Sequence, residues 1–272
     1  MDYHRPDSLA EACSLLQAKE ACHVLAGGTD LLVQMRSGLV KPAQIVDIKA
    51  LPGITDVELD DQGLTLGAAA PAQSITERAD IAAMYPGLVE AIDLIGSTQV
   101  QGRCSVGGNL CNASPAADSV PALIANGAVC NIVGSAGERQ VPVEAFNAGP
   151  GQNCLAGDEL LVSVFVPRPL ANAADAYLRF IPRTEMDIAV VGAGVSLTLD
   201  QQGLCTLARV AIGAVAPTAL LVPEAATALI GTTVDDAALD AMTVAVSAAS
   251  NPISDKRGSA DYRRKVVGVM AR

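Results

Sequence analysis

Two adjacent-glycine segments carry the residues best suited to chemistry: Leu25-Ala26-Gly27-Gly28-Thr29-Asp30-Leu31 and Ser105-Val106-Gly107-Gly108-Asn109-Leu110. Glycine lets the backbone come close to a ligand and adopt positive φ. A run of exposed backbone N–H groups then forms a concave anion site suited to phosphate oxygens. Two such loops in one chain point to a ligand with two phosphates held between two segments, as in a dinucleotide. Neither segment is a Walker A loop or a GxGxxG fingerprint, because the Lys-Ser/Thr or the third glycine is missing. The second is followed by Asn112, Ser114, Pro115 and Asp118, a dense polar cluster in an otherwise apolar chain. That density reads as a ligand wall or an elaborate turn.

Other constellations are weaker. The two histidines, His4 and His23, lie outside the glycine segments and read as surface or packing residues. No nucleophile-elbow motif supports a hydrolytic triad. Seven cysteines lack CxxC spacing and read as reduced thiols, so no metal site is expected although Cys104 and Cys111 flank the second loop. Arg183-Thr184-Glu185-Met186-Asp187-Ile188-Ala189 is a charged turn between apolar strands, read either as a solvated hairpin or as part of a ligand mouth.

The elements that must position these residues follow from periodicity. In the first fifty residues a helix over 8–18, capped by Ser8 with Glu11 three residues on, alternates with strands over 23–26 and 44–47 and a helix over 29–37. A hairpin over 54–59 and 63–66, helices over 74–79, 86–95 and 117–126, and strands over 129–133, 138–142 and 160–167 make a second lobe. Beyond Pro169, three antiparallel strands (174–182, 188–199, 206–215) precede helices over 218–229, 235–249 and 259–272. The predicted domains are thus 1–170, with lobes of about 1–53 and 54–170, and 171–272.

The chain has 272 residues, half of them hydrophobic, no tryptophan, and a formal charge of −11. Alanine, valine and leucine must therefore fill the core, and the acidic balance argues against nucleic-acid binding. No signal-peptide character and no spanning apolar run are evident, so a soluble, cytoplasmic protein without a transmembrane segment is expected.

The glycine segments, Asn112-Ala113-Ser114-Pro115-Ala116-Ala117-Asp118, Asp158-Glu159-Leu160-Leu161, Met186-Asp187-Ile188-Ala189 and Ile212-Gly213-Ala214-Val215-Ala216-Pro217-Thr218 together resemble the FAD-binding medium subunit of molybdenum hydroxylases. This family includes the carbon monoxide dehydrogenase flavoprotein and the xanthine dehydrogenase flavin domain, and the resemblance covers the whole chain. It implies an α+β fold: a two-lobed FAD-binding domain of vanillyl-alcohol oxidase (PCMH) type, followed by an α+β domain with a three-stranded antiparallel sheet and helices.

The resemblance further implies that Val24, Leu25, Ala26, Gly27, Gly28, Thr29, Asp30 and Leu31 wrap the flavin-side phosphate and ribityl chain. Ser105, Val106, Gly107, Gly108 and Asn109 would meet the pyrophosphate, with Asn112 and Asp118 close by. Asp118 would accept hydrogen bonds from the ligand. Ile95 and Gly96 would lie by the isoalloxazine ring, Leu161 by the adenine or flavin, and Arg179 where a family lysine sits near the flavin. Ser105 replaces a frequent threonine, and Gln101 stands at a frequent arginine position that Arg103 could cover. No inserted cysteine-bearing loop for a 4Fe–4S cluster is present.

The implied role is electron transfer, with no catalytic residue for an organic substrate on this chain. Electrons would come from 2Fe–2S clusters on a small partner subunit, after chemistry on a large molybdopterin subunit, and pass to NAD, a quinone or O2. A dimer of heterotrimers is expected. The rival readings are a stand-alone FAD oxidoreductase of the same fold, such as a UDP-N-acetylenolpyruvylglucosamine reductase, and a non-enzymatic nucleotide-binding module.

Overall fold

The computed structural model describes residues 1–17, 21–183 and 187–272. The first lobe is built on a parallel sheet of three strands, β1 (Asp2–His4), β2 (Cys22–Leu25) and β3 (Gln44–Asp47), in the order β1-β3-β2. All four residues of β3 are buried, as the central strand must be. The three-residue β1 has no readable alternation and exists because β3 offers it a partner, Asp2 facing Gln44. Helix α1 (Leu9–Gln17) begins at Ser8, whose hydroxyl accepts from the Glu11 N–H. Glu11 in turn reaches the N–H of Asp7, one residue before the position a capping box would use. Helix α2 (Leu31–Arg36) starts two residues later than the pattern predicts.

The second lobe holds an antiparallel sheet of β4 (Val57–Leu59), β5 (Gly63–Gly67), β6 (Val129–Gly134), β7 (Gly137–Pro142) and β10 (Leu160–Pro167), in the order β4-β5-β10-β6-β7. The pair β8 (Asn147–Gly149) and β9 (Gln152–Asn153) precedes β10. Between β5 and β6 the chain runs through α3 (Ala72–Thr76), α4 (Ala79–Met84), α5 (Pro86–Asp93), α6 (Thr98–Gln101), α7 (Val106–Cys111) and α8 (Ser119–Ala125). Three of these correct the sequence reading. Helices α4 and α6 are too short for their periodicity to be read. The second glycine segment is no loop: Gly107 and Gly108 lie in the first turns of α7, because the Ser105 hydroxyl accepts from the Gly108 N–H and caps the helix.

The C-terminal sheet is an antiparallel meander of β11 (Ala173–Phe180), β12 (Val191–Leu199), β13 (Cys205–Gly213) and β14 (Leu220–Leu221). The fourth strand lies inside the segment expected to be helical, and α9 (Pro223–Leu229) begins only at Pro223. Proline suits the first helical position, where no N–H partner is needed. With α10 (Asp236–Ala249) and α11 (Ala260–Ala271), α9 covers one face of this sheet over Val210, Ile212, Met242, Val246 and Val267.

The other face is not free, as a separate lobe would leave it. Helices α5 and α8 of the second lobe pack against it, and glycine makes this possible. A Cβ on Gly194 would sit 2.6 Å from the Pro121 carbonyl oxygen, and one on Gly213 would sit 2.7 Å from the Pro121 ring. The main core therefore runs from Leu64, Leu66, Val164 and Val166 through Tyr85, Leu88, Leu123 and Phe146 to Tyr177 and Ala211.

Candidate functional site

A cleft of about 520 Å³ opens between the first and second lobes, within the size range of cofactor sites. Its first wall is β2, the turn after it and α2, contributing Val24, Ala26, Gly27, Gly28, Thr29, Asp30 and Leu31. The second wall is the capped start of α7 with Ser105, Gly107, Gly108, Asn109 and Asn112, and Ile95 and Leu161 close it. The structure thus brings both glycine segments to one cleft.

The four glycines do different work. Gly28 has φ +79°, a conformation that favours glycine, and it turns the strand into α2. A Cβ on Gly27 would lie 1.7 Å from the Arg103 carbonyl oxygen, so this glycine lets the first loop touch the segment leading to the second. A Cβ on Gly107 would meet the Ala68 carbonyl at 2.4 Å. At Gly108 the nearest neighbour is only the Ser105 hydroxyl, at 3.0 Å. Gly27 and Gly107 are therefore packing glycines, and Gly108 is the one that leaves its side of α7 free for a ligand.

Several residues that hold this arrangement gave no signal in the sequence. Gln34 of α2 donates to the Asn112 side chain at 3.2 Å, tying the two walls together. The Lys49 ammonium donates to the Ala26 carbonyl at 2.8 Å and pairs with Asp47, fixing the first loop from behind. Burial pushes the Asp47 carboxyl up, but bonds from Lys49 and Tyr3 outweigh it and leave the group below the usual range. Asn153 donates to the Cys111 carbonyl at 3.0 Å, and the Gly151 N–H reaches the Ala113 carbonyl at 3.0 Å. Ala113 itself has φ +50°, so the exit from α7 is held in a turn that an L-residue rarely adopts. His23 also lines the cleft, with a buried Nδ1 that has no hydrogen-bond partner among the described residues. Its position on an edge strand, beside the glycine turn, is what puts it there.

Five expected site residues lie behind the wall. Leu25 is half-buried beneath Gly28, and Val106 is fully buried. Gly96, at φ +66°, turns α5 toward α6. Asp118 and Arg179 form an ion pair at 3.0 Å with both side chains largely buried. The other Asp118 oxygen accepts from the Tyr177 hydroxyl at 2.9 Å, and Arg179 also donates to the Leu94 carbonyl at 3.0 Å. Burial raises the Asp118 carboxyl to about 6, against the pull of Arg179 and Tyr177. The Arg179 charge is thus matched by a carboxylate rather than presented to the cleft.

The Gln101 amide donates to the Asp93 carbonyl, while Arg103 is exposed. Of the charged 183–189 turn, Thr184, Glu185 and Met186 lie outside the described residues. Asp187 is bound by Arg183 at 3.0 Å and by Arg257 at 3.4 Å, which hold its carboxyl down at about 2.

Among the described residues, no lysine or arginine lines the cleft, and its only carboxylates are Asp30 and Glu159. Phosphate charge in it would be met by backbone N–H groups and by the start of α7, not by side-chain cations. A long, partly apolar cleft with one unobstructed glycine at a capped helix start fits a dinucleotide such as FAD. Among the described residues, no group of three or more metal-ligating side chains occurs and no helix is long and apolar enough to cross a membrane.

Known proteins bear on the same site. Residues 1–169 match the family described as the FAD-binding domain in molybdopterin dehydrogenase, and residues 176–272 match the CO dehydrogenase flavoprotein C-terminal domain. The chain is 32% identical to the carbon monoxide dehydrogenase medium chain of Afipia carboxidovorans, covering 100% of this chain and 94% of that one. It is 30% identical to a xanthine dehydrogenase FAD-binding subunit of Escherichia coli, covering 99% and 93%. Its fold superposes on a chain of reconstituted CO dehydrogenase from Oligotropha carboxidovorans with a TM-score of 0.95, at 32% identity and 100% and 95% coverage. A cleft shaped for a dinucleotide and two family matches that together span almost the whole chain lead to one conclusion: the protein belongs to the FAD-binding medium subunits of molybdopterin-dependent dehydrogenases.

Proposed function

We propose that this chain is the electron-transfer subunit of a heterotrimeric molybdenum hydroxylase, assembled as a dimer of heterotrimers. A small subunit with 2Fe–2S clusters delivers electrons, and NAD, a quinone or O2 removes them. The observation that carries the reading is the meeting of both glycine segments in one cleft, with Gly108 open to it. When bound there, FAD supplies the redox chemistry that links a one-electron donor to the final acceptor.

The chain's own residues do the rest. Gly28 and Gly27 shape the first loop, and Lys49 holds its Ala26 carbonyl. Ser105 caps α7, so its first turn meets the pyrophosphate with N–H groups rather than cations. Leu31, Ile95 and Leu161 exclude water from the apolar stretches of the cleft. The Gln34–Asn112 bond keeps the two walls at a fixed separation.

The test is an absorption spectrum of the purified chain and chromatography of its released cofactor. About one FAD per chain, without iron or molybdenum, is expected. Co-purification with iron–sulfur and molybdopterin subunits, at a mass matching two copies of each, would support the assembly. A chain that refuses added FAD would end the reading.

A further inference from the structure

Strand β11 reaches across from the C-terminal domain and grips the wall of the cleft from behind. Its inward side chains are Asp175, Tyr177 and Arg179, spaced two apart on one face. The Asp175 carboxylate accepts from the N–H groups of Gly87 and Leu88 at 3.1 and 2.9 Å, capping α5, whose own flanking residue Tyr85 supplies no side-chain cap. Arg179 donates to the Leu94 carbonyl at the other end of the same helix. An eight-residue helix is about 12 Å long, and four strand steps cover about 13 Å, so β11 matches α5 end for end. Gly87 allows the approach, since a Cβ there would lie 2.5 Å from the Ala176 Cα.

Between these anchors Tyr177 is 3% exposed, with its hydroxyl on Asp118 at 2.9 Å. Glycine weakens a strand interior, yet Gly192 sits in β12 where a Cβ would lie 2.6 Å from the Tyr177 hydroxyl oxygen. The space is kept for the hydroxyl itself. Asp118 leads into Ser119, whose hydroxyl donates to the Asn109 side chain at 2.7 Å. Leu94 leads into Ile95. Both Asn109 and Ile95 line the cleft.

We propose that Tyr177 is a positioning residue of the cofactor cleft: with Arg179 it holds the Asp118 carboxylate in one orientation, and through Ser119 and Leu94 that arrangement sets Asn109 and Ile95 against the cofactor. The proposal rests on the assignment of this cleft to FAD. The groups facing Asp118 are Tyr177 and Arg179 from β11; Leu94, the residue just after α5, offers its carbonyl to the same arginine, and α7 offers the uncharged Asn109 through Ser119.

The experiment is FAD titration of the cofactor-stripped full chain, followed calorimetrically, for the parent, Tyr177→Phe and Gly192→Ala, from about pH 5 to about pH 8. In Tyr177→Phe the ring stays and only the hydroxyl goes. Affinity at about pH 7 should fall about tenfold, the scale of one lost hydrogen bond to a charged group. The pH below which affinity collapses should rise, because the carboxylate has lost a donor. Gly192→Ala, which displaces the phenol, should shift the profile the same way, and it decides the matter should Tyr177→Phe not fold. Variants that melt earlier but keep the parent's affinity and pH profile would reduce Tyr177 to a packing residue and overturn the proposal. A parent chain that takes up no FAD at any pH would overturn the cleft assignment, and the proposal with it.

Discussion

Gly107 and Gly108 are neighbours in sequence, yet valine should do opposite things at the two positions. At Gly108 a new Cβ meets only the Ser105 hydroxyl at 3.0 Å, the end of a small side chain that can rotate. Valine replaces glycine inside a helix at a gain of about 0.3 kcal/mol, offset by up to about 1 kcal/mol if the Ser105 cap is disturbed. The melting temperature of the cofactor-free chain should therefore move by no more than about 4 °C. The side chain would stand in the cleft, so flavin retention should be lost.

At Gly107 the Cβ would lie 2.4 Å from the Ala68 carbonyl oxygen and 2.7 Å from its Cα, both backbone atoms that cannot swing away. The cost is about 3 kcal/mol or more, and the chain should melt at least about 6 °C lower even without cofactor. The assay is a thermal melt of the stripped proteins beside flavin absorbance per chain after reconstitution and gel filtration. A folded Gly108→Val protein with one FAD per chain would refute the assignment of α7 to the cofactor. A Gly107→Val protein as stable as the parent would refute the packing argument.

Lys49→Met should free the Ala26 carbonyl and weaken FAD binding about fivefold with little change in fold, a modest loss because Lys49 is a quarter exposed; unchanged affinity by calorimetry would remove Lys49 from the site. Asp118, raised by burial to about 6 from an ordinary 3.8, binds its proton more tightly in the folded state. Its contribution to stability therefore falls as pH rises from about 4 to about 6, then levels off. The difference between urea-unfolding profiles of the parent and Asp118→Asn should show that slope, and parallel profiles would contradict it. Arg263 is buried and donates to the carbonyls of Val190 and Ala214 and to Asp255. Arg263→Ala should cost about 3 kcal/mol in urea unfolding by leaving these acceptors unmatched, and a loss under about 1 kcal/mol would show that water replaces it.

Sequence alone determined the local patterns and the family. Strand β10 alternates because one face is core, and its bounds, 160–167, coincide with the reading. Strand β3, at 44–47, coincides as well. The glycine pairs were visible because no other residue offers their backbone freedom, and the side chains after them carried the resemblance to FAD-binding medium subunits. Tertiary structure decided what each residue does. Adjacent glycines look alike in sequence, but Gly27 and Gly107 answer to carbonyls of Arg103 and Ala68, 76 and 39 positions away by residue number, and Gly108 answers to none. Lys49 is an ordinary lysine until folding brings it to Ala26. Strands β1 and β14 are too short to show a period and form only because β3 and β13 present them with an edge. The family resemblance makes Asp118 and Arg179 cofactor contacts, yet their charges meet one another behind the wall, because a buried charge is costly unless it is paired. Periodicity and backbone freedom are local properties and can be read along a chain. Partnerships between distant groups are set by packing in three dimensions, and no local pattern encodes them.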